Sequence, residues 1–315
     1  MKKLAVVAFG GNALLRSGQK GTIDEQELNV YETCTDLLHL IRNDIDIVIG
    51  HGNGPQVGNV LLQHEAGEKM FNVPKQPVDF CVAETQGSIG YMIEQQLRNV
   101  LLKEKLERDI LTLVTQVVVD KEDPAFQNPA KPVGPYYEKS EADKLAKENK
   151  WVFHEDPRGR GWRRVVASPK PHQINNTQSI EKMARDGNIV VTVGGGGIPA
   201  FYVEENKLQG IDAVIDKDLA SSKLATEIHA EEFYILTDVP KVSINFNTPE
   251  EKQLDVFSVA EAKKYLEEKE FTEGSMAPKI RAAIQFIENG GQKCVITESS
   301  ELHKKDAGTQ IIADK

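Results

Sequence analysis

Three glycine-rich turns each follow a short apolar run: Gly10-Gly11-Asn12, Gly50-His51-Gly52-Asn53-Gly54-Pro55, and Gly194 to Gly197 with Ile198-Pro199 behind it. Glycine allows positive φ and lets a ligand approach the peptide N–H groups without meeting a Cβ. Where such a turn opens a helix, its free N–H groups and the helix dipole together favour an anion, most often a phosphate. A tight strand-to-helix connection explains any one of these turns equally well. In an open parallel sheet, however, the carboxyl ends of the strands share one edge, so the three turns should converge, and convergence points to phosphate.

The lysines sharpen that reading. If Asp216 caps a helix, Lys217 occupies its first position, where a cation opposes the positive end of the macrodipole. Lys279 repeats the pattern in the first turn of a helix beginning around Ser275, Met276 and Pro278. Each alone reads as a solvated surface lysine, but a bound polyanion relieves both anomalies at once. Removing the Lys217 charge is accordingly expected to leave folding intact, or to steady the empty helix slightly. Lys131, between Pro129 and Pro132, sits on a partly fixed backbone and could reach down onto the sheet edge.

Other chemistries fit poorly. No Gly-Lys pair occurs, which excludes the Walker A pattern. Gly52 to Gly58 resembles a loosened dinucleotide fingerprint, but no strand ending in Asp or Glu follows at the required distance. The 7 histidines are scattered without HExxH or HxH, and no GxSxG elbow or Cys/His pairing is present. His51 reads equally as a substrate contact or a hydrogen-bonded turn residue. The arginine run 158–164 has a single tryptophan and lies in a chain of net charge −10, so RNA binding is a poor reading.

These residues need a scaffold. The chain has 315 residues, 40% hydrophobic and 27% charged, which suits one large or two smaller folded units and argues against disorder or coiled coil. Apolar runs at Leu4 to Phe9, Ile45 to Ile49, Leu111 to Val119, Ile189 to Val193, Phe233 to Leu236 and Cys294 to Thr297 alternate with amphipathic stretches. That pattern predicts an α/β fold with a mainly parallel sheet covered by helices on both faces. Helices are predicted from Asp24 to Arg42, with Leu28, Tyr31, Cys34, Leu38 and Ile41 inward, from Asp216 towards Ile228, and from Met276 to a stop at Asn289-Gly290-Gly291. Between Lys121 and His172 lie 7 of the 14 prolines, both tryptophans and the cluster Arg158, Arg160, Arg163 and Arg164. We read residues 121–172 as a small projecting lid inserted in a single domain spanning 1–315. The three distant cysteines, Cys34, Cys81 and Cys294, indicate no disulfide framework and suit a reducing cytoplasm. No apolar run approaches the ~20 residues of a membrane span.

The sequence also closely resembles the carbamate kinase family of the amino acid kinase fold. The matching strings are Phe9-Gly-Gly-Asn-Ala-Leu14, His51-Gly-Asn-Gly-Pro-Gln-Val-Gly58, Thr85-Gln-Gly-Ser-Ile-Gly-Tyr91, Leu113-Val-Thr-Gln-Val-Val-Val-Asp120, Lys131-Pro-Val-Gly-Pro135, Gly159-Arg-Gly-Trp-Arg163, Ser168-Pro-Lys-Pro171, Gly194 to Pro199, Ala213-Val-Ile-Asp-Lys-Asp218, Leu236-Thr-Asp238 and Gly274-Ser-Met-Ala-Pro-Lys279. They run in family order along nearly the whole chain, and the inserted segment distinguishes this family from others of the fold. The resemblance implies a homodimer with a three-layer αβα sandwich around about eight mostly parallel strands, using ATP/ADP, Mg2+, carbamate and carbamoyl phosphate. It places phosphoryl transfer on Gly10, Gly11, Asn12, Lys131 and Lys217, and we assign Asp218 to orienting the lysine charges. Substrate contacts fall on Gly52, Asn53 and Gly54, joined by Gly10, Gly195 and Gly196. Nucleotide contacts fall on Lys217, Asp218, Thr237, Asp238, Met276 and Lys279. Residues up to about 210 then form the carbamate side and 211–315 the nucleotide side. The family more often makes ATP, in arginine breakdown. Competing readings are a kinase of the same fold acting on another carboxylate, such as acetylglutamate, and a nucleotide-binding sensor without turnover. No nucleic-acid or membrane partner is expected.

Overall fold

The structure, a computed structural model, describes residues 2–156, 159–304 and 306–314. Pro157 and Arg158, counted above in the proline-rich segment and its basic cluster, lie outside the described residues.

An eight-stranded sheet forms the middle layer, in the order Val256–Ser258, Thr309–Ile312, Lys293–Thr297, Glu232–Leu236, Leu4–Phe9, Asp46–His51, Ile189–Val191, Ile110–Thr112. Thr309–Ile312 runs antiparallel to Lys293–Thr297 and parallel to Val256–Ser258, and the remaining neighbours pair in parallel. The unbroken apolar runs follow from burial on both faces. Leu4, Val6 and Ala8 pack into one core with helices Thr177–Arg185, Lys217–Glu227, Val259–Glu267 and Met276–Glu288. Ala5, Val7 and Phe9 pack into the other with helices Ile23–Asp36, Leu38–Arg42 and Val78–Lys103. Fully burying one such side chain contributes roughly 1.5–3 kcal/mol, so polar residues are selected against on both sides of these strands.

Two predicted elements break. The helix expected from Asp24 to Arg42 divides at Leu37, and Leu28 is exposed rather than inward. The buried Val30, Cys34, Leu37, Leu38 and Ile41 share one half of the helical wheel, and Leu28 falls outside that half, which exposes it. The run from Leu111 to Val119 divides as well. Ile110–Thr112 closes the main sheet, while Gln116–Val119 enters a four-stranded sheet between Ile198–Glu204 and Pro171–Ile174. The bend is held by the Gln86 side chain, whose Oε1 accepts from the Thr115 amide at 2.7 Å.

Within residues 121–172, Lys131–Tyr137, Trp162–Val166 and Val152–Glu155 pair antiparallel into a three-stranded sheet, with helix Lys139–Asn149 beside it. Val133 and Val166 pack on Val57 and Leu61 of helix Gly54–Phe71. Arg160 and Arg163 stack on Tyr136, and Arg164 stacks on Trp151 at 4.1 Å while pairing with Asp212 at 2.7 Å. These aromatic contacts give Arg160, Arg163 and Arg164 a place in the packing of this segment. No described helix is long and apolar enough to cross a membrane.

Candidate active site

The expected helix starts form as the sequence dictates. Asp216 caps Lys217–Glu227, its Oδ1 accepting from the amides of Asp218 at 2.9 Å and Leu219 at 3.3 Å, and Lys217 takes the first helical position. Asn53 stands before Gly54–Phe71 but makes no cap bond to that helix; its Nδ2 donates to Thr85 Oγ1 at 2.9 Å. The first amides of the helix are thus left to an external acceptor, and Pro55 has none to satisfy. The third turn does not open a helix. Gly194–Gly196 forms a short 3-10 turn leading into the strand Ile198–Glu204.

The turns converge on a cavity of about 270 Å3. Gly11, Gly52, Asn53, Gly54 and Gly195 line it together with Lys131, Lys217, Asp218 and Lys279, and the Lys217 side chain lies directly against Gly52. Gly195 has φ +65°, and a Cβ there would lie 2.3 Å from Asn53 Nδ2, so only glycine permits the approach. Gly196, at φ +89°, faces the Ile215 carbonyl instead and does not line the cavity; its role is the close packing of that turn.

Two carboxylates share three ammonium groups. Asp218, 3% exposed, accepts from Lys217 Nζ at 2.5 Å and from Lys279 Nζ at 3.3 Å. Burial alone would raise its pKa, but the two ammonium charges and their hydrogen bonds outweigh burial and hold the carboxyl below the usual aspartate range. Lys131 Nζ lies 3.4 Å from Asp216 Oδ2. The two carboxylates therefore neutralise the three ammonium charges only in part.

Four other expected residues lie elsewhere. Gly10, Asn12, Thr237 and Asp238 line a second cavity of about 690 Å3 with Arg16 and Glu298, next to helix Ile23–Asp36. Gly11 and Asn12 belong to the 3-10 turn Gly11–Ala13, which winds about three residues per turn, so Gly11 faces one cavity while Asn12 faces the other. Thr237 and Asp238 follow Leu236, whose side chain belongs to the core on the face of helix Ile23–Asp36. Met276 is half-buried against the opposite core and does not line the 270 Å3 cavity. A wider cavity of about 710 Å3, around Glu232 and Lys293, touches none of the glycine turns.

Sequence reasoning missed three contributors. Asp216 was legible as a cap but not as the partner of Lys131. Gln86 Nε2 donates to the Gly194 carbonyl at 2.9 Å and so steadies the third turn; its place in the Thr85 to Tyr91 string was the available signal. Ser275 lines the cavity, and its carbonyl accepts from Lys279 Nζ at 3.4 Å.

His51 is buried, with Nδ1 2.8 Å from the Gly52 carbonyl, and it does not line the cavity. Burial lowers its pKa to about 4 from 6.5, while the Gly52 bond opposes the change. The folded protein thus binds this proton more weakly than the unfolded chain does. The associated stability is complete above pH 6.5 and is lost progressively as pH falls towards 4, by up to about 3 kcal/mol. Urea midpoints measured across that window should fall with pH, and the fall should be shallower in His51→Gln.

Comparison with known proteins accounts for this arrangement. The model of the amino acid kinase family matches residues 3–298. The carbamate kinase of Pyrococcus horikoshii is 48% identical over 315 residues, covering 99% of both chains. That of Thermococcus kodakarensis is 49% identical over 317 residues, covering 99% of this chain and all of the relative. The solved carbamate kinase from Giardia lamblia bound to AMP-PNP matches with a TM-score of 0.93 and 38% identity over 99% of each chain. With the αβα architecture, the glycine turns and the lysine set in one cavity, these matches establish that the chain belongs to the amino acid kinase family, among its carbamate kinases.

Proposed function

We propose that the chain catalyses ATP + carbamate ⇌ ADP + carbamoyl phosphate by direct in-line transfer, and that the cavity shared by Lys131, Lys217, Lys279 and the glycine turns is where it occurs. The observation that carries this reading is that three lysines from positions far apart in the chain line one cavity with Gly11 and Gly54. A carbamate oxygen forms the new bond to the γ-phosphorus as the bond to the β,γ-bridging oxygen breaks. Charge spreads over the equatorial oxygens, so alignment and cationic stabilisation do most of the work. The attacking oxygen is already anionic and needs no general base. The cavity lining supplies no histidine, cysteine or tyrosine for that task, in keeping with this mechanism.

In this proposal Lys131 and Lys217 act on the transferring phosphoryl and Lys279 on the nucleotide phosphates. The amides of Gly11, Gly52 and Gly54 hold oxygens, Asn53 shapes the carbamate side with Gly195, and Asp218 orients two of the ammonium groups. Gly10, Asn12, Gly196, Thr237, Asp238 and Met276 support the two ends of the site from behind it. Residues up to about 210 carry the acceptor side and 211–315 the nucleotide side, with 121–172 acting as a lid that excludes water. Among the described residues no group of three or more His, Cys, Asp or Glu could cage a metal, and both cavity carboxylates already face lysines. With that donor set the nucleotide rather than the protein would carry Mg2+, and the ion would supply neutralisation of phosphate charge. Mixing the protein with Mg2+, ADP and carbamoyl phosphate should yield ATP in a luciferase readout; no ATP above a protein-free control sinks the proposal.

We also propose a homodimer in a reducing cytoplasm. The three buried, unpaired cysteines favour that compartment. Tyr91 and Leu102, 64% and 70% exposed on one face of helix Val78–Lys103, sit beside the edge strand Ile110–Thr112 and favour self-association there. Light scattering should give a dimer mass for the wild type and a monomer mass for Tyr91→Glu; a monomeric wild type refutes the assignment.

A further inference from the structure

Asp216 divides its two oxygens between two tasks. Oδ1 caps the helix through the Asp218 and Leu219 amides, and Oδ2 reaches Lys131 Nζ across 85 residues of sequence. The cap does not require the charge, since asparagine or serine caps as well. Beside a cavity built for a polyanion, a carboxylate repels the ligand, so its presence calls for a compensating use. The contact with Lys131 supplies one.

That contact differs in kind from its neighbours. Lys217 and Lys279 meet a carboxylate with a 4% exposed side chain, whereas the Lys131 and Asp216 side chains are 39% and 20% exposed. A wet, 3.4 Å ion pair is weak and readily exchanged. Lys131 also opens the strand Lys131–Tyr137, whose segment is anchored at its base by Tyr137 on Glu65 at 2.9 Å and Arg164 on Asp212 at 2.7 Å. The Asp216 pair is an ionic link from this segment to the helix start that lines the cavity.

We infer that Asp216 is a positioning residue: it holds Lys131 over the cavity before a nucleotide arrives and surrenders it to the incoming phosphate. The idea rests on the phosphoryl-transfer reading above. A singly charged, solvated carboxylate competes poorly with a multiply charged phosphate that also draws on Lys217, Lys279 and the turn amides. The segment is thereby kept near its working position at small cost in ligand affinity.

Hydrogen exchange in the full-length, ligand-free protein tests the inference. In Asp216→Asn, which keeps the cap and removes the charge, amides of Lys131–Tyr137 should exchange about threefold faster, the size expected for an exposed pair. The magnesium complex of AMP-PNP should bind about threefold more tightly by calorimetry, because the competitor is gone. Unchanged exchange in that strand, or weaker AMP-PNP binding, overturns the assignment. If helix Lys217–Glu227 also loosens, the cap has been lost, and Lys131→Gln takes over: it must speed exchange in its own strand with that helix unaffected, and no increase overturns the assignment. Failure of ATP formation by the unaltered protein would sink the activity, whereas these exchange rates address the Lys131 contact alone.

Discussion

Lys217→Met is expected to lower kcat for ATP formation by about 10²–10³-fold, equivalent to roughly 3–4 kcal/mol of lost transition-state stabilisation. The side chain has the length to reach the transferring group, and its ammonium is placed by Asp218 at 2.5 Å before any ligand binds. A preorganised donor of this kind acts where charge develops, so the loss should fall mainly on kcat rather than on KM. Wild-type turnover in the variant would remove Lys217 from the proposed chemistry. Helix-dipole reasoning alone predicts intact or slightly improved folding; the buried carboxylate changes that expectation. Without Lys217, Asp218 keeps only the 3.3 Å contact to Lys279, and an under-satisfied buried charge costs about 1–3 kcal/mol. A thermal melt of the ligand-free variant should therefore show a lowered midpoint, not a raised one.

Asp218→Asn should have the larger effect on stability. Removing one member of a buried charge cluster costs about 3–5 kcal/mol, because the partners left behind remain desolvated. Here Lys217 and Lys279 would face each other over an amide that can neutralise neither. A ligand that brings negative charge should restore much of the loss: the magnesium complex of AMP-PNP at 100 times its Kd contributes about 2.7 kcal/mol by mass action alone. Urea unfolding with and without that ligand measures both quantities, and a variant as stable as wild type would show that the cluster contributes little. The acid limb supplies a second test. The folded carboxyl titrates below the unfolded value of about 3.9, so its contribution is complete above that pH and is lost as pH falls through the folded value. Asp218→Asn should flatten this part of the profile.

Local physics made much of this legible in advance. The apolar runs such as Leu4 to Phe9 announced strands covered on both faces, and Asp216 announced a helix start with Lys217 against the dipole. The stop at Asn289-Gly290 formed as expected, with Gly290 at φ +99°. What escaped depends on contacts distant in sequence. The bend inside Leu111 to Val119 carries no glycine or proline and is held by Gln86, 29 residues earlier in the chain. The site shows the same division. Turn glycines and helix-start lysines reveal themselves by violating local preferences, whereas the pairing of Lys131 with Asp216 requires knowing where the inserted strand comes to rest. Thr237 and Asp238 illustrate a further limit, since a motif gives order along the chain but not the side of the sheet on which its residues emerge.

The position of Leu4–Phe9 between Glu232–Leu236 and Asp46–His51 has a kinetic consequence. One uninterrupted ladder joins the early and late portions of the polypeptide, so they cannot swing apart to admit solutes as two lobes on a hinge would. In the proposed reading, with 121–172 as the lid, entry and exit would use the rim bordered by Lys131 to Val133, and the frequency with which that rim parts would set an upper bound on throughput however fast the bond exchange becomes. Raising solvent viscosity should consequently slow the overall cycle while leaving the internal equilibrium between bound reactants and products unaltered.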